Sequence, residues 1–174
     1  MKTFNHLLCA STAALFLATT AQAQTAGHAQ HQDHHADSPV SVESAWARAT
    51  VAQQRATGMF MQIKAKQDMK LVSASSDIAA HTEIHEMVKD GDVMKMREVK
   101  NVALPAGQAV DFKPGGLHVM FLDLKQQVKA GDVIPVTLTF EDAQGKQETT
   151  RVDVTARPLN ASGAPAQGAS HGHH

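Results

Sequence analysis

Short runs of alternating apolar and polar residues dominate the middle of this chain. Val136, Leu138 and Phe140 alternate with threonines, and a turn-forming sequence follows at residues 142–145. Successive side chains of a strand point to opposite faces, so this alternation predicts a strand with one face against a core.

The same pattern, interrupted by Gly, Pro, Asp and Asn, recurs along the middle of the chain. It predicts strands near residues 41–49, 57–66, 70–76, 81–89, 93–100, 109–112, 117–123, 133–141 and 148–156. Many short strands without a long amphipathic helix are typical of an all-β fold, and we expect an antiparallel β-sandwich.

The two ends of the chain lack the strand pattern. Residues 1–23 have a basic start, a short apolar run and a final Ala-Gln-Ala, which predict a signal peptide cleaved after Ala23. Residues 24–39 and 158–174 contain few large apolar side chains and several histidines. Such segments bury too little surface to offset the entropy of ordering, so we expect flexible tails around one domain at residues 40–157.

Composition narrows the class of protein. The one cysteine, Cys9, lies inside the predicted signal after Leu8, where a lipid-modified cysteine would need a small residue, so we expect its removal. The exported chain then depends on its core and not on disulfides. A formal net charge of −1 gives no electrostatic reason to expect nucleic acid partners. The apolar run is too short for a permanent membrane helix, so we expect no stable membrane insertion and a periplasmic monomer.

Two histidines and two methionines form the candidate chemistry. His85, Met96, His118 and Met120 are spaced H-x10-M-x21-H-x-M. Imidazole binds several transition metals, whereas thioether sulfur is soft and favours Cu(I). A blue-copper site needs a cysteine thiolate, and structural zinc sites rarely use methionine. The donor set therefore predicts a Cu(I) site.

Strand geometry predicts how these side chains meet. His118 and Met120 are two apart, so they share one face of a strand. The Asp-Gly pair at residues 90–91 favours a two-residue type I′ hairpin. In that register His85 lies directly opposite Met96, close enough for both to reach one ion.

The spacing, the Asp-Gly pair and the Lys-Pro-Gly-Gly-Leu-His sequence at residues 113–118 resemble the periplasmic PCu(A)C copper chaperones, over about Val40 to Arg157. The resemblance implies a cupredoxin-like or immunoglobulin-like β-sandwich or barrel. It also implies a non-enzymatic carrier that passes copper by ligand exchange to an acceptor protein, in assembly of the dinuclear copper centre of cytochrome oxidase. The alternatives are a periplasmic copper buffer for copper tolerance, a copper enzyme, and a scaffold without metal.

Further histidines and methionines have two interpretations each. Met87 and Met94 share the predicted ligand face, as auxiliary thioethers or, as we prefer, a hydrophobic collar. The tail histidines either bind Cu(II) or only keep the tails soluble. These candidate tail ligands are His28, His31, His34, His35, His171, His173 and His174.

If a tail captures Cu(II) while the domain holds Cu(I), the two functions are separable. Deletion of residues 158–174 should then abolish a Cu(II) site and leave Cu(I) affinity unchanged. Competition titrations with Cu(II) and Cu(I) chelators measure both affinities. Loss of both affinities would contradict this division.

Overall fold

The computed structural model describes residues 38–161, and this part of the chain consists of strands joined by turns and loops. The strands are β1 (Val40–Arg48), β2 (Ala56–Ala65), β3 (Met69–Ser75), β4 (Ala79–Asp90), β5 (Val93–Glu98), β6 (Val102–Leu104), β7 (Ala109–Phe112), β8 (His118–Leu124), β9 (Val133–Asp142) and β10 (Gln147–Arg157). Within these residues no helix is long and apolar enough to cross a membrane.

The strands follow the alternation in the sequence, and the all-β prediction is confirmed. Nine of the ten strands lie within a few residues of their predicted positions. The tenth, β6, was not predicted, because three residues are too few to show a period of two. It pairs with β3 through Leu71 and Val102.

The strands form one mixed, hydrogen-bonded sheet. Its order is β5-β4-β8-β2-β1-β10-β9-β3-β6, and β7 pairs with β2. Strand β2 divides its second edge between two neighbours: its first half pairs with β8 and its second half with β7. The pair β1–β10 is parallel, which differs from the expected purely antiparallel arrangement.

One face of this sheet forms the core. Every strand except β5 contributes buried apolar side chains to one continuous cluster. In β8, Val119 and Phe121 are fully buried in that cluster. Alternation therefore directs His118 and Met120 to the other face, as the sequence predicted.

The hairpin β4–β5 corrects the predicted register. Asp90 pairs with Val93, so the two loop residues are Gly91 and Asp92. Gly91 has a φ of 63° and Asp92 does not have a positive φ, which fits a type II′ turn with glycine first and excludes type I′. As a result Met87, and not His85, lies opposite Met96.

Substitution of Phe121 tests how much the core contributes to the stability of the fold around β8. Phe121→Ala should lower the free energy of unfolding by about 3–5 kcal/mol, because it leaves a cavity where the ring was fully buried. Val133→Ala, at a position 62 % exposed, is the control and should change it by less than about 0.5 kcal/mol. Urea denaturation measures both, and equal effects would contradict this account of the core.

Candidate metal centre

A pair of histidines from neighbouring strands lies on the outer face, the face of β4 and β8 that points away from the core. His85 of β4 and His118 of β8 are direct cross-strand partners. Their ring centres are 5.8 Å apart, with planes inclined at 72°. Both are buried, with 9 % and 6 % of their surfaces exposed.

The His118 ring is held in one tautomer by the turn that precedes β8. Its Nδ1–H donates a hydrogen bond of 2.9 Å to the carbonyl oxygen of Gly116. A carbonyl can only accept, so Nδ1 carries the proton and Nε2 has a free lone pair. That Nε2 lies 3.1 Å from the sulfur of Met96.

Burial also keeps His118 neutral. Desolvation lowers the pKa of His118 below its usual value, the hydrogen bond to Gly116 raises it in part, and the charge of a protonated His85 lowers it further. The balance is a lowered pKa, so Nε2 stays unprotonated and able to bind a metal at neutral pH.

His85 is oriented by a carboxylate on its own strand. Glu83 and His85 are two residues apart and share a face, and Glu83 Oε2 lies 2.6 Å from His85 Nε2. In the neutral ring, Nε2–H donates a hydrogen bond to this carboxylate, and the lone pair is then on Nδ1. Within residues 38–161, that Nδ1 is buried and has no hydrogen-bond partner. A buried acceptor without a partner is costly, and a metal ion would satisfy it.

The four candidate thioethers lie on the same face as the histidine pair and differ in exposure. Met120 and Met87 are half-buried, and with His118 they line a shallow pocket of about 300 Å³. Met96 and Met94, on edge strand β5, are each 50 % exposed. All four lie on the outer face, as their positions in the strand registers require.

Two aromatic residues extend this face beyond the histidines. The Phe60 ring centre lies 6.3 Å from that of His118 and 4.6 Å from that of Trp46. Trp46 and Phe60 are both buried, with 3 % and 5 % of their surfaces exposed, but neither belongs to the core cluster. The guanidinium groups of Arg48 and Arg157 lie over Phe60 and Trp46, respectively. One side of the site is therefore lined by the Phe60 and Trp46 rings, and an arginine lies over each ring.

Glycine makes room for the Phe60 ring. Gly58 of β2 is the cross-strand partner of Met120. A Cβ at this position would lie 3.1 Å from the Phe60 ring. Glycine thus lets the Phe60 ring approach the backbone beside Met120.

The donor atoms suit one soft ion. Two imidazoles on one ion, with metal–nitrogen bonds of about 2.0 Å, have ring centres within about 6 Å of each other. Nitrogen and sulfur on a tetrahedral ion lie about 3.5 Å apart, close to the separation of Met96 and His118. Among the described residues, no group of three or more His, Cys, Asp and Glu could hold a metal. A metal site here therefore depends on thioether sulfur.

The predicted core site is thus only partly assembled as expected. His85, His118 and Met96 come together, with Met120 on the same face, but Met96 approaches His118 and its cross-strand partner is Met87. Glu83 was missed, although its place two residues before His85 was a signal. The predicted signal peptide, Cys9 and all the tail histidines lie outside the described residues.

The sequence of this chain matches a known protein family. A family model described as "Putative lipoprotein LpqE-like" matches residues 40–155. Putative lipoprotein Lxx21020 of Leifsonia xyli subsp. xyli is 34 % identical over 145 residues, which cover 81 % of this chain and 86 % of that protein.

Solved structures agree on the fold. The CuI-DR1885 structure from Deinococcus radiodurans is 27 % identical, with a TM-score of 0.56, covering 81 % of this chain and 92 % of that one. A copper-bound PCuAC domain from PmoF2 has a TM-score of 0.57 at 20 % identity, covering 70 % of this chain and 94 % of that one, and shows the shared fold alone. The chain therefore belongs to the LpqE-like, PCuAC family, as the resemblance in its sequence predicted.

Proposed function

We propose that this protein is a copper chaperone whose cargo is Cu(I). The ligands are His85 Nδ1, His118 Nε2 and the sulfurs of Met96 and Met120. The observation that carries the proposal is the 3.1 Å approach of the Met96 sulfur to the unprotonated nitrogen of His118, beside a buried His85 nitrogen that lacks a partner.

Similar proteins support copper as the cargo. The Deinococcus radiodurans relative was solved with Cu(I), and the PCuAC domain of PmoF2 was solved with copper. The donor types support the same ion, because neutral thioether and imidazole match soft Cu(I) better than any hard dication.

The arrangement suits a carrier better than an enzyme. All four donors are neutral, so the ion gains no charged ligand that would hold it against release. Met96 is half exposed on an edge strand, where an incoming ligand can replace its sulfur before the nitrogens let go. Transfer by ligand exchange needs only such stepwise replacement, and no bond of a substrate is broken.

The resemblance suggests where this transfer takes place. We infer an exported protein in the periplasm, its signal peptide removed after Ala23, that gives Cu(I) to an assembly factor for the dinuclear copper centre of cytochrome oxidase. A copper buffer would use the same ligands but would have no specific acceptor.

Loss of one ligand should weaken Cu(I) binding strongly. We expect His118→Ala and Met96→Leu each to lower Cu(I) affinity by roughly 100-fold or more, since even outer-shell partners of metal ligands contribute 10- to 100-fold. The control is His81→Ala, an exposed histidine four residues before His85 on β4. Anaerobic competition with bicinchoninate measures the affinities.

The affinity measurement tests the site, and a copper-transfer measurement tests the function. Equal Cu(I) affinity in wild type and both ligand variants would contradict the proposed site. Cu(I)-loaded wild type should also lose its copper to an apo form of the oxidase assembly factor faster than to an unrelated apo copper protein. Equal rates would favour a buffer over a chaperone.

The two histidine tautomers provide an independent test of which nitrogens bind copper. In the copper-free protein we expect a proton on Nδ1 of His118 and on Nε2 of His85, because Gly116 and Glu83 accept those protons. Glu83→Ala should leave His85 as a mixture of tautomers and keep His118 unchanged. Long-range ¹H–¹⁵N correlation spectra identify the tautomers directly.

Glu98→Ala is the matched control for the tautomer test. Glu98 is the cross-strand partner of His85 on β5 and is exposed. Its removal should leave the His85 tautomer as in wild type. If both glutamate variants behaved alike, Glu83 would have no special role in orienting the ring.

A further inference from the structure

The hairpin β4–β5 carries a row of sulfur atoms that leads away from the histidine pair. Met87 lies opposite Met96, and Lys89 lies opposite Met94 in the same register. Met94 is therefore the diagonal neighbour of Met87, a distance that long side chains can span. The three methionines form one continuous row on the outer face, from the hairpin tip to His118.

The thioethers of this row are more exposed than the histidine to which it leads. Met94 and Met96 are 50 % exposed, Met87 is half-buried, and His118 is 6 % exposed. The nitrogen donors are thus shielded from a large incoming ligand, while the sulfur donors are not. The exposed sulfurs of Met94 and Met96 are therefore donors that a partner protein can reach before it reaches the nitrogens.

Thioether is also the donor type that this part of the face offers. The carboxylates of Asp90 and Glu86 lie on the opposite face of the hairpin, in ion pairs with Lys95 and Arg97. On the face of the row, Glu83 is hydrogen-bonded to His85, and Glu98 lies opposite His85, two positions beyond Met96 from Met94. The residue opposite Met94 is Lys89, whose protonated ammonium has no lone pair. The thioethers of Met87 and Met94, with no carboxylate opposite either of them, therefore favour a soft monovalent ion.

Met87 connects the row to the inner ligands. It lines the same pocket as His118 and Met120. Its backbone N–H also donates a hydrogen bond to the carbonyl oxygen of Gly116. The same oxygen accepts the hydrogen bond from His118 Nδ1–H. The position of Met87 is thus fixed relative to the His118 ring.

We propose that Met87 and Met94 form an outer thioether site, through which Cu(I) enters and leaves the inner site of His85, His118, Met96 and Met120. This inference rests on the proposed function. At each step one copper–sulfur bond forms as another bond to copper breaks, with no change in oxidation state and no proton released. Met87 and Met94, which we expected to form a hydrophobic collar, are then a second and weaker binding site.

Methyl spectra of the methionines test this proposal in the intact protein. With ¹³C-methyl methionine and anaerobic Cu(I), the Met96 and Met120 signals should shift during the first equivalent. The Met87 and Met94 signals should shift mainly during the second equivalent. Met59, Met61 and Met69 lie in the core and should not move, so they are controls in the same spectrum.

A kinetic measurement separates the outer site from the inner one. The double variant Met87→Leu/Met94→Leu should keep first-equivalent Cu(I) affinity within about threefold of wild type. Its release of Cu(I) to bicinchoninate should slow by about tenfold or more, because the route through sulfur is lost. Val93→Leu, on the opposite face of β5, is the matched control and should leave the rate unchanged.

Three results would overturn the outer site. The first is that the Met87 and Met94 signals stay fixed through two equivalents, and the second is an unchanged release rate in the double variant. The third is a loss of first-equivalent affinity above tenfold in the double variant, which would make these residues inner ligands. Failure of the proposed function is distinguishable, because Met96 and Met120 would then also stay fixed.

Discussion

The backbone pairing of β4 with β8 is the constraint on which this site depends. It sets His85 directly against His118 on the outer face. The adjacent pair, Ile84 and Val119, points to the other face and is buried in the core. A slip of one residue would exchange the two faces and expose the core, so apolar burial fixes the histidines in place. The site is therefore built by folding, before any metal binds.

Each histidine is then oriented by an acceptor two residues before it in the sequence. Gly116 supplies a carbonyl to His118, and Glu83 supplies a carboxylate to His85. Both acceptors hold the ring proton on one nitrogen and leave the other nitrogen free. Because the rings need little rearrangement, most of the entropy of ordering the ligands is lost during folding and not during binding.

The sequence predicted the strands and the outer position of these residues, since a period of two encodes both. It did not predict the hairpin register, because the signal from Gly91 fits a loop of residues 90–91 or 91–92 equally well. Charge favours the observed register, which sets Glu86 opposite Arg97, whereas a register with His85 opposite Met96 would set Glu83 against Glu98. Nor did the sequence predict the bulge near Ser44, with a φ of 54°, which adds a residue to β1 and reverses its faces, so that Trp46 packs on Phe60 and not in the core cluster.

The hydrogen bond of Glu83 bears on which metal the proposed site would favour. Two imidazoles and a carboxylate are a set that zinc accepts, and Glu83 is close enough to His85 to suggest it. Its oxygen instead accepts the Nε2 proton of that same ring, on the side away from the free Nδ1 lone pair. The donors left for an ion are neutral nitrogens and sulfurs. Without an anionic ligand, the larger cost of desolvating a dication is not offset, so this geometry favours a soft monovalent cation.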